Sequence, residues 1–190
     1  VGLTVAMAAS SILDDSVIAS LGQSTGELWM PEIIPLGWFH TAMGIIALVS
    51  GGITLARFRE ISLKTRSGQV YLAATLITAG TALAIFQHGA FGPAHALAVM
   101  TLLALATGTL AATTTLFGKL SRYVQAVSYS ATLLFHCIPA ITDALLRLPV
   151  GDPVLNSIED PILKTSYLGL LLIFLVGVSL QLRWIYRQPG

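Results

Sequence analysis

Long apolar stretches separated by short polar segments dominate the sequence. Five of them can cross about 30 Å of hydrocarbon as helices that rise about 1.5 Å per residue. They cover residues 33–56, 68–88, 93–117, 123–146 and 166–182. The predicted fold is therefore all-α, a polytopic transmembrane helical bundle that forms one domain over residues 1–190.

The amino-terminal residues 1–13, VGLTVAMAASSIL, are apolar but too short to cross a bilayer. We interpret them either as a helix at the outer face or as part of a sixth span. Asp14 and Asp15 end this stretch, and residues 16–32 contain the glycines, serines and proline that are typical of a loop.

Basic residues are concentrated in three of the connecting segments, which together hold eight of the ten lysines and arginines: Arg57, Arg59, Lys64, Arg66, Lys119, Arg122, Arg183 and Arg187. Because basic loops face the cytoplasm, the pattern predicts a cytoplasmic carboxyl terminus. Tyr71 is predicted to lie at the inner membrane interface with Tyr123 and Trp184.

Composition supports a membrane location. The chain is 55% hydrophobic and only 10% charged, whereas a soluble domain has about 25% charged residues. The lipid bilayer is therefore the expected partner. A net charge of +1 argues against a nucleic-acid partner, and the single cysteine, Cys137, excludes an intramolecular disulfide.

Small residues are frequent in the first three stretches, which are therefore expected to pack closely as the centre of the bundle. Gly80, Ala84 and His88 share one helical face, against which another helix or a flat cofactor could lie. The last stretch carries large aliphatic side chains all round and is expected at the periphery.

The four histidines, His40, His88, His95 and His136, come from four different predicted helices. The predicted orientation places all four in the outer half of the bilayer. Ionisable groups within a membrane normally face the bundle interior or a wet cavity, so these histidines are expected to line one cavity.

The predicted fourth span carries a polar stripe at helical spacing, which contains Ser128, Thr132, His136, Ala140, Asp143 and Arg147. Asp143 and Arg147 are four residues apart and are expected to pair. Pro139 removes one helical hydrogen bond beside His136.

Three interpretations of the histidines remain open. Two imidazoles could hold one haem b, or several could bind one transition metal, with Asp143 as a further ligand. Alternatively, the histidines only make hydrogen bonds between helices or lie at the interface. The last interpretation is sufficient for His88 and His95, so the site hypothesis rests mainly on His40 and His136.

Other catalytic chemistry has little support. No metalloprotease, nucleophile-elbow, phosphate-loop or dinucleotide-binding motif lies in a suitable context, so enzymatic function is not predicted. The specific hypothesis is an electron-transfer-related bundle with a single haem or metal site. The alternative is a non-catalytic accessory or assembly subunit of a larger membrane complex, in contact with pigment or lipid.

Short motifs resemble a family of small bacterial predicted membrane proteins of unknown function. They are GWFHTAMGIIAL, GQVYL and PAITDALLRLPVG, and the resemblance covers residues 35–151. It implies a fold and a location in the bacterial inner membrane, but no activity. The four histidines also give a weaker similarity to cytochrome b561-like membrane proteins, whose histidines hold two haems near opposite faces. All four map to one side here, which leaves room for one haem at most.

Overall fold

The computed structural model describes residues 35–86 and 91–188, which form five α-helices and a short 3-10 helix and contain no β-strand. The α-helices are α1 (Pro35–Phe58), α2 (Arg66–Ala82), α3 (Pro93–Thr113), α4 (Ser121–Arg147) and α5 (Pro161–Tyr186). The 3-10 helix (Gly118–Leu120) directly precedes α4. The predicted all-helical fold is confirmed for these residues. His88 and the suspected sixth span over residues 1–13 lie outside them.

Four helices in the described chain are long and apolar enough to cross a membrane, so the predicted count of five is wrong. They are α1, α3, α5 and the continuous segment Gly118–Arg147 that contains α4. The stretch predicted over residues 68–88 forms α2, which has only 17 residues and ends at Ala82. Such a helix is about 25 Å long, less than the hydrocarbon thickness. Hydropathy reports how apolar a stretch is, but not where its backbone leaves the helix.

Local sequence signals account for several helix ends. The Thr65 side chain accepts a hydrogen bond from the Gly68 amide at the start of α2. Pro93 and Pro161 each occupy the first turn of a helix, where a missing amide proton costs nothing. The Asp160 carboxylate caps α5 by accepting from the Ile162 amide.

Helix α4 is central to the packing, because it contacts α1, α3 and α5. Helix α2 lies between α1 and α3. Helix α5 packs mainly on α4, and most of its large aliphatic side chains are exposed, which confirms its predicted peripheral position. Exposed leucines and isoleucines on this scale match a lipid environment rather than water.

Two tyrosines fill the centre of the bundle, and each ring lies against a glycine on a neighbouring helix. A Cβ atom at Gly51 would lie 2.8 Å from the Tyr71 ring, and one at Gly108 would lie 2.6 Å from the Tyr129 ring. Neither tyrosine is exposed to solvent. Tyr71 therefore packs between helices and does not face lipid, and its predicted level at the inner interface stays a prediction.

The three predicted basic segments meet at one end of the bundle, which we call the basic end. It comprises the α1–α2 loop, the turn before α4 and the last turn of α5. The Arg122 guanidinium donates to both carboxylate oxygens of Glu60, at 3.0 and 3.2 Å. The Trp184 ring lies below the guanidinium groups of Arg122 and Arg59, at 5.3 and 5.9 Å from its centroid. Helices α1 and α2 consequently run in opposite directions.

Candidate histidine site

His136 lies in the buried part of the polar stripe on α4. Its Nδ1 atom donates to the Thr132 carbonyl, 2.9 Å away on the same helix. Its Nε2 atom is buried and has no hydrogen-bond partner among the described residues. An unpaired polar atom in a buried position is costly, so a native structure that retains one calls for an explanation.

His40 lies near the start of α1, at the end of the bundle opposite the basic end. Its Nδ1 atom lies 3.0 Å from the Thr78 carbonyl and 3.1 Å from the Thr81 hydroxyl, both on α2. The imidazole is therefore held by the neighbouring helix. It is partly buried, which leaves access to the ring from one side.

The two imidazoles have the same tautomer. A carbonyl oxygen only accepts hydrogen bonds, so Nδ1 carries the proton in both His40 and His136. In the neutral ring, Nε2 then has the free lone pair. Histidines that bind metals usually donate their other ring nitrogen to a carbonyl or carboxylate in this way.

His40 is on α1 and His136 on α4, and these two helices are in contact. Asp143 lies one turn before the end of α4. Its carboxylate accepts from Arg147 Nε at 3.4 Å and is largely exposed, so the predicted Asp143–Arg147 pair is confirmed. This pairing occupies the carboxylate that was considered as a further metal ligand.

His95 has a different role. Its backbone amide donates to the Gly92 carbonyl at 3.0 Å, and its Nδ1 atom accepts from the Gly92 amide at 3.3 Å. This reciprocal pair closes the first turn of α3. The ring packs at a tilt against Phe86 and Phe91, at centroid distances of 4.5 and 5.2 Å. Because Nδ1 accepts, Nε2 carries the proton and offers no lone pair to a metal.

The predicted cavity with four histidines stays a prediction. His40 is held by a carbonyl of α2 and His136 by a carbonyl of its own helix, whereas His95 is engaged at the start of α3 and His88 is outside the described residues. Across residues 35–86 and 91–188, no group of three or more His, Cys, Asp and Glu side chains could hold a metal ion. A set of three or four protein ligands therefore does not form within this part of the chain.

The helical face that was predicted to contain Gly80, Ala84 and His88 does not form as expected, because α2 ends at Ala82. Gly80 is exposed, and a Cβ atom there would meet nothing within 4 Å. Ala84 lies in the turn after α2 has ended. The prediction assumed helical spacing beyond Ala82, where the α-helix ends.

His136 lies beside a network of hydroxyl groups, and the sequence pattern did not predict this network. The Tyr71 hydroxyl and Thr132 Oγ1 are 2.6 Å apart, and Thr132 also supplies the carbonyl that orients His136. The rings of Tyr71 and His136 lie 6.5 Å apart between centroids. The spacing of four between Thr132 and His136 was visible in the sequence, but nothing there indicated that Tyr71 comes from α2 to meet them.

Comparison with known proteins adds no relative: no family model, curated protein or solved structure matches the chain.

Proposed function

We propose that this chain is an integral protein of the bacterial inner membrane that holds one haem iron or one transition-metal ion between His40 and His136. The observation that carries the proposal is their shared tautomer, in which a backbone carbonyl binds Nδ1 and Nε2 keeps its lone pair. In His136 that Nε2 atom is also buried without a partner among the described residues, which is true of the protonated Nε2 atom of His95 as well.

A haem suits this pair better than zinc does. A structural zinc site takes four protein ligands, whereas a haem iron takes at most two, since the porphyrin supplies the other four nitrogens. Electron transfer is the chemistry that a haem with two histidine ligands most often performs.

Charge supports the orientation. The basic end holds the three segments that carry eight of the ten basic residues, and basic loops remain in the cytoplasm. We therefore place the basic end and the carboxyl terminus in the cytoplasm, with His40 and His136 in the half of the membrane that faces the periplasm.

The visible spectrum of the purified protein tests the site. We expect a Soret band, or near-stoichiometric iron or copper, which His136→Ala and His40→Ala each abolish. His95→Ala is the matched control and should keep the spectrum, because its imidazole serves the α3 turn instead. A protein without a Soret band and without stoichiometric metal would overturn the proposal. An equal loss in the folded His95→Ala variant would overturn the assignment of ligands.

A second candidate function is an accessory subunit in a larger membrane complex. It is favoured by α5, which packs mainly on α4 and leaves many large apolar side chains uncovered, among them Leu168, Leu172, Ile173, Val176 and Leu180. Extraction in a mild detergent followed by size analysis distinguishes the two functions. A stable assembly with larger proteins supports the accessory function, and a monomer with a haem spectrum supports the first proposal.

A further inference from the structure

An open groove of about 710 Å³ lies between α1, α4 and α5. Its volume falls in the range of about 300–1,000 Å³ that is usual for small-ligand sites. Leu133, Leu134 and Cys137 of α4 form one apolar wall, and Ile173 and Phe174 of α5 form the other. His40, His95 and His136 do not line it.

Three arginines line the same groove at the basic end: Arg59, Arg183 and Arg187. Within the described residues, none of the three has a carboxylate within 4.0 Å, whereas the neighbouring Arg122 is paired with Glu60. The groove therefore combines an apolar interior with three arginines at one end that have no carboxylate partner among the described residues.

Arg59, at the end of the groove that the arginines line, has an unusual backbone conformation. Its φ angle is +60°, a region that residues other than glycine rarely adopt and that costs about 1 kcal/mol or more. The Gln181 side chain donates to its carbonyl at 2.8 Å and accepts from the Ser130 hydroxyl at 2.9 Å. Strain that neighbouring residues maintain in this way is typical of functional positions.

We propose that this groove binds one anionic phospholipid, with its phosphate on Arg59, Arg183 and Arg187 and an acyl chain along the walls of α4 and α5. Arginine recognises phosphate through parallel charged hydrogen bonds. Basic pockets between helices on the cytoplasmic side are suited to anionic headgroups. The inference depends on the membrane location proposed above, but not on the histidine pair.

Charge makes a lipid a better occupant than a second copy of this chain. Association through the same groove would bring two sets of three arginines together, and burying unpaired charges of one sign is strongly unfavourable. An anionic lipid neutralises the arginines and fills the apolar part at the same time.

Lipid retention in native mass spectrometry tests the proposal. The purified full chain is mixed in mild detergent with phosphatidylglycerol or with phosphatidylcholine that has the same acyl chains. We expect a preference for phosphatidylglycerol that falls on the order of fivefold for each arginine removed. The triple variant Arg59→Gln, Arg183→Gln, Arg187→Gln should show no preference.

The matched control removes the same charge from the same end of the bundle, outside the groove. It is the triple variant Lys64→Gln, Arg66→Gln, Lys119→Gln, and it should keep the preference. If both triple variants lose it equally, the effect belongs to the overall charge of this end and the proposal fails. Thermal unfolding in detergent establishes that each variant is folded.

Cys137 gives a second readout, since it is the single cysteine of the chain and lines the groove. Phosphatidylglycerol should slow its reaction with a maleimide more than phosphatidylcholine does, and the groove variant should show no such protection. A thiol that stays unreactive in lipid-free detergent would mean that protein covers the groove, and a dimer under these conditions would mean that a second copy does. Either result would overturn the proposal.

The two proposals fail independently. His136→Ala should retain the lipid preference, because His136 does not line the groove. A protein without haem or metal that still selects phosphatidylglycerol would overturn the histidine site alone, and one with a haem spectrum and no lipid preference would overturn the lipid site alone.

Discussion

At the scale of single residues, the fold depends on close approach between tyrosine rings and glycines. Gly51 and Gly108 each face an aromatic ring at a distance that leaves no space for a methyl group. Helices that associate in lipid gain stability from such packing, since lipid exerts little hydrophobic force between them. Other helical glycines, such as Gly52 and Gly80, have no neighbour within 4 Å of the position that a Cβ atom would take.

We expect Gly108→Ala to destabilise the protein by about 1–3 kcal/mol, because the new methyl group would force the Tyr129 ring and its helix to move. Gly52→Ala is the matched control. It should be neutral or stabilising by up to about 1 kcal/mol, since alanine favours a helix and meets nothing there. Unfolding of both variants in detergent measures the difference. Equal stability would show that the Tyr129 ring can shift without cost.

At the scale of elements, polar side chains attach α5 to the rest of the bundle. Most of the α5 surface is apolar and exposed, and Gln181 is its one buried polar side chain in the described structure. Gln181 joins Ser130 on α4 to the carbonyl of Arg59 after α1. A peripheral helix is thereby fixed at the basic end through two hydrogen bonds.

Replacing Gln181 with leucine should destabilise the protein by about 1–3 kcal/mol, because it leaves the Arg59 carbonyl and the Ser130 hydroxyl without their partner. Ser179→Ala serves as the control on the same helix. Its hydroxyl donates only to the Leu175 carbonyl of its own turn and is exposed, so its stability should change by less than about 0.5 kcal/mol. Unfolding in detergent checks both values, and an unchanged Gln181→Leu variant would contradict the attachment.

At the scale of the whole molecule, the charged groups are divided between the two ends of the bundle. The Arg122–Glu60 ion pair and the contacts of Trp184 with two arginines bring the α1–α2 loop, the turn before α4 and the end of α5 together. The segment between α4 and α5 lies at the other end and carries Asp152, Glu159 and Asp160. This asymmetry determines the expected orientation in the membrane.

Single cysteines introduced in a Cys137→Ser background test that orientation. In intact cells, an impermeant thiol reagent should label Asn156→Cys and leave Lys64→Cys unlabelled, since these exposed positions lie at opposite ends. Lys64→Cys should become labelled once the membrane is opened. The reverse pattern would contradict the orientation inferred from the basic residues.

The apolar stretches by themselves determined the helical fold class, the four membrane-length helices of the described residues and the peripheral position of α5. They could do so because an unsatisfied backbone is so costly in lipid that few other structures are possible. Spacing of four was also sufficient for the Asp143–Arg147 pair. The length of α2 was not determined in this way, since an apolar sequence continues past the residue where the helix ends.

Only the tertiary structure decided which side chains meet. The histidines looked equivalent in sequence, yet a carbonyl orients His40 and His136 as lone-pair donors whereas the Gly92 amide engages His95. The position of Tyr71 against Gly51 and Thr132, and the groove bounded by Arg59, Arg183 and Arg187, likewise depend on contacts between distant segments. Hydropathy and helical period describe one helix at a time, and such contacts follow from how the helices pack.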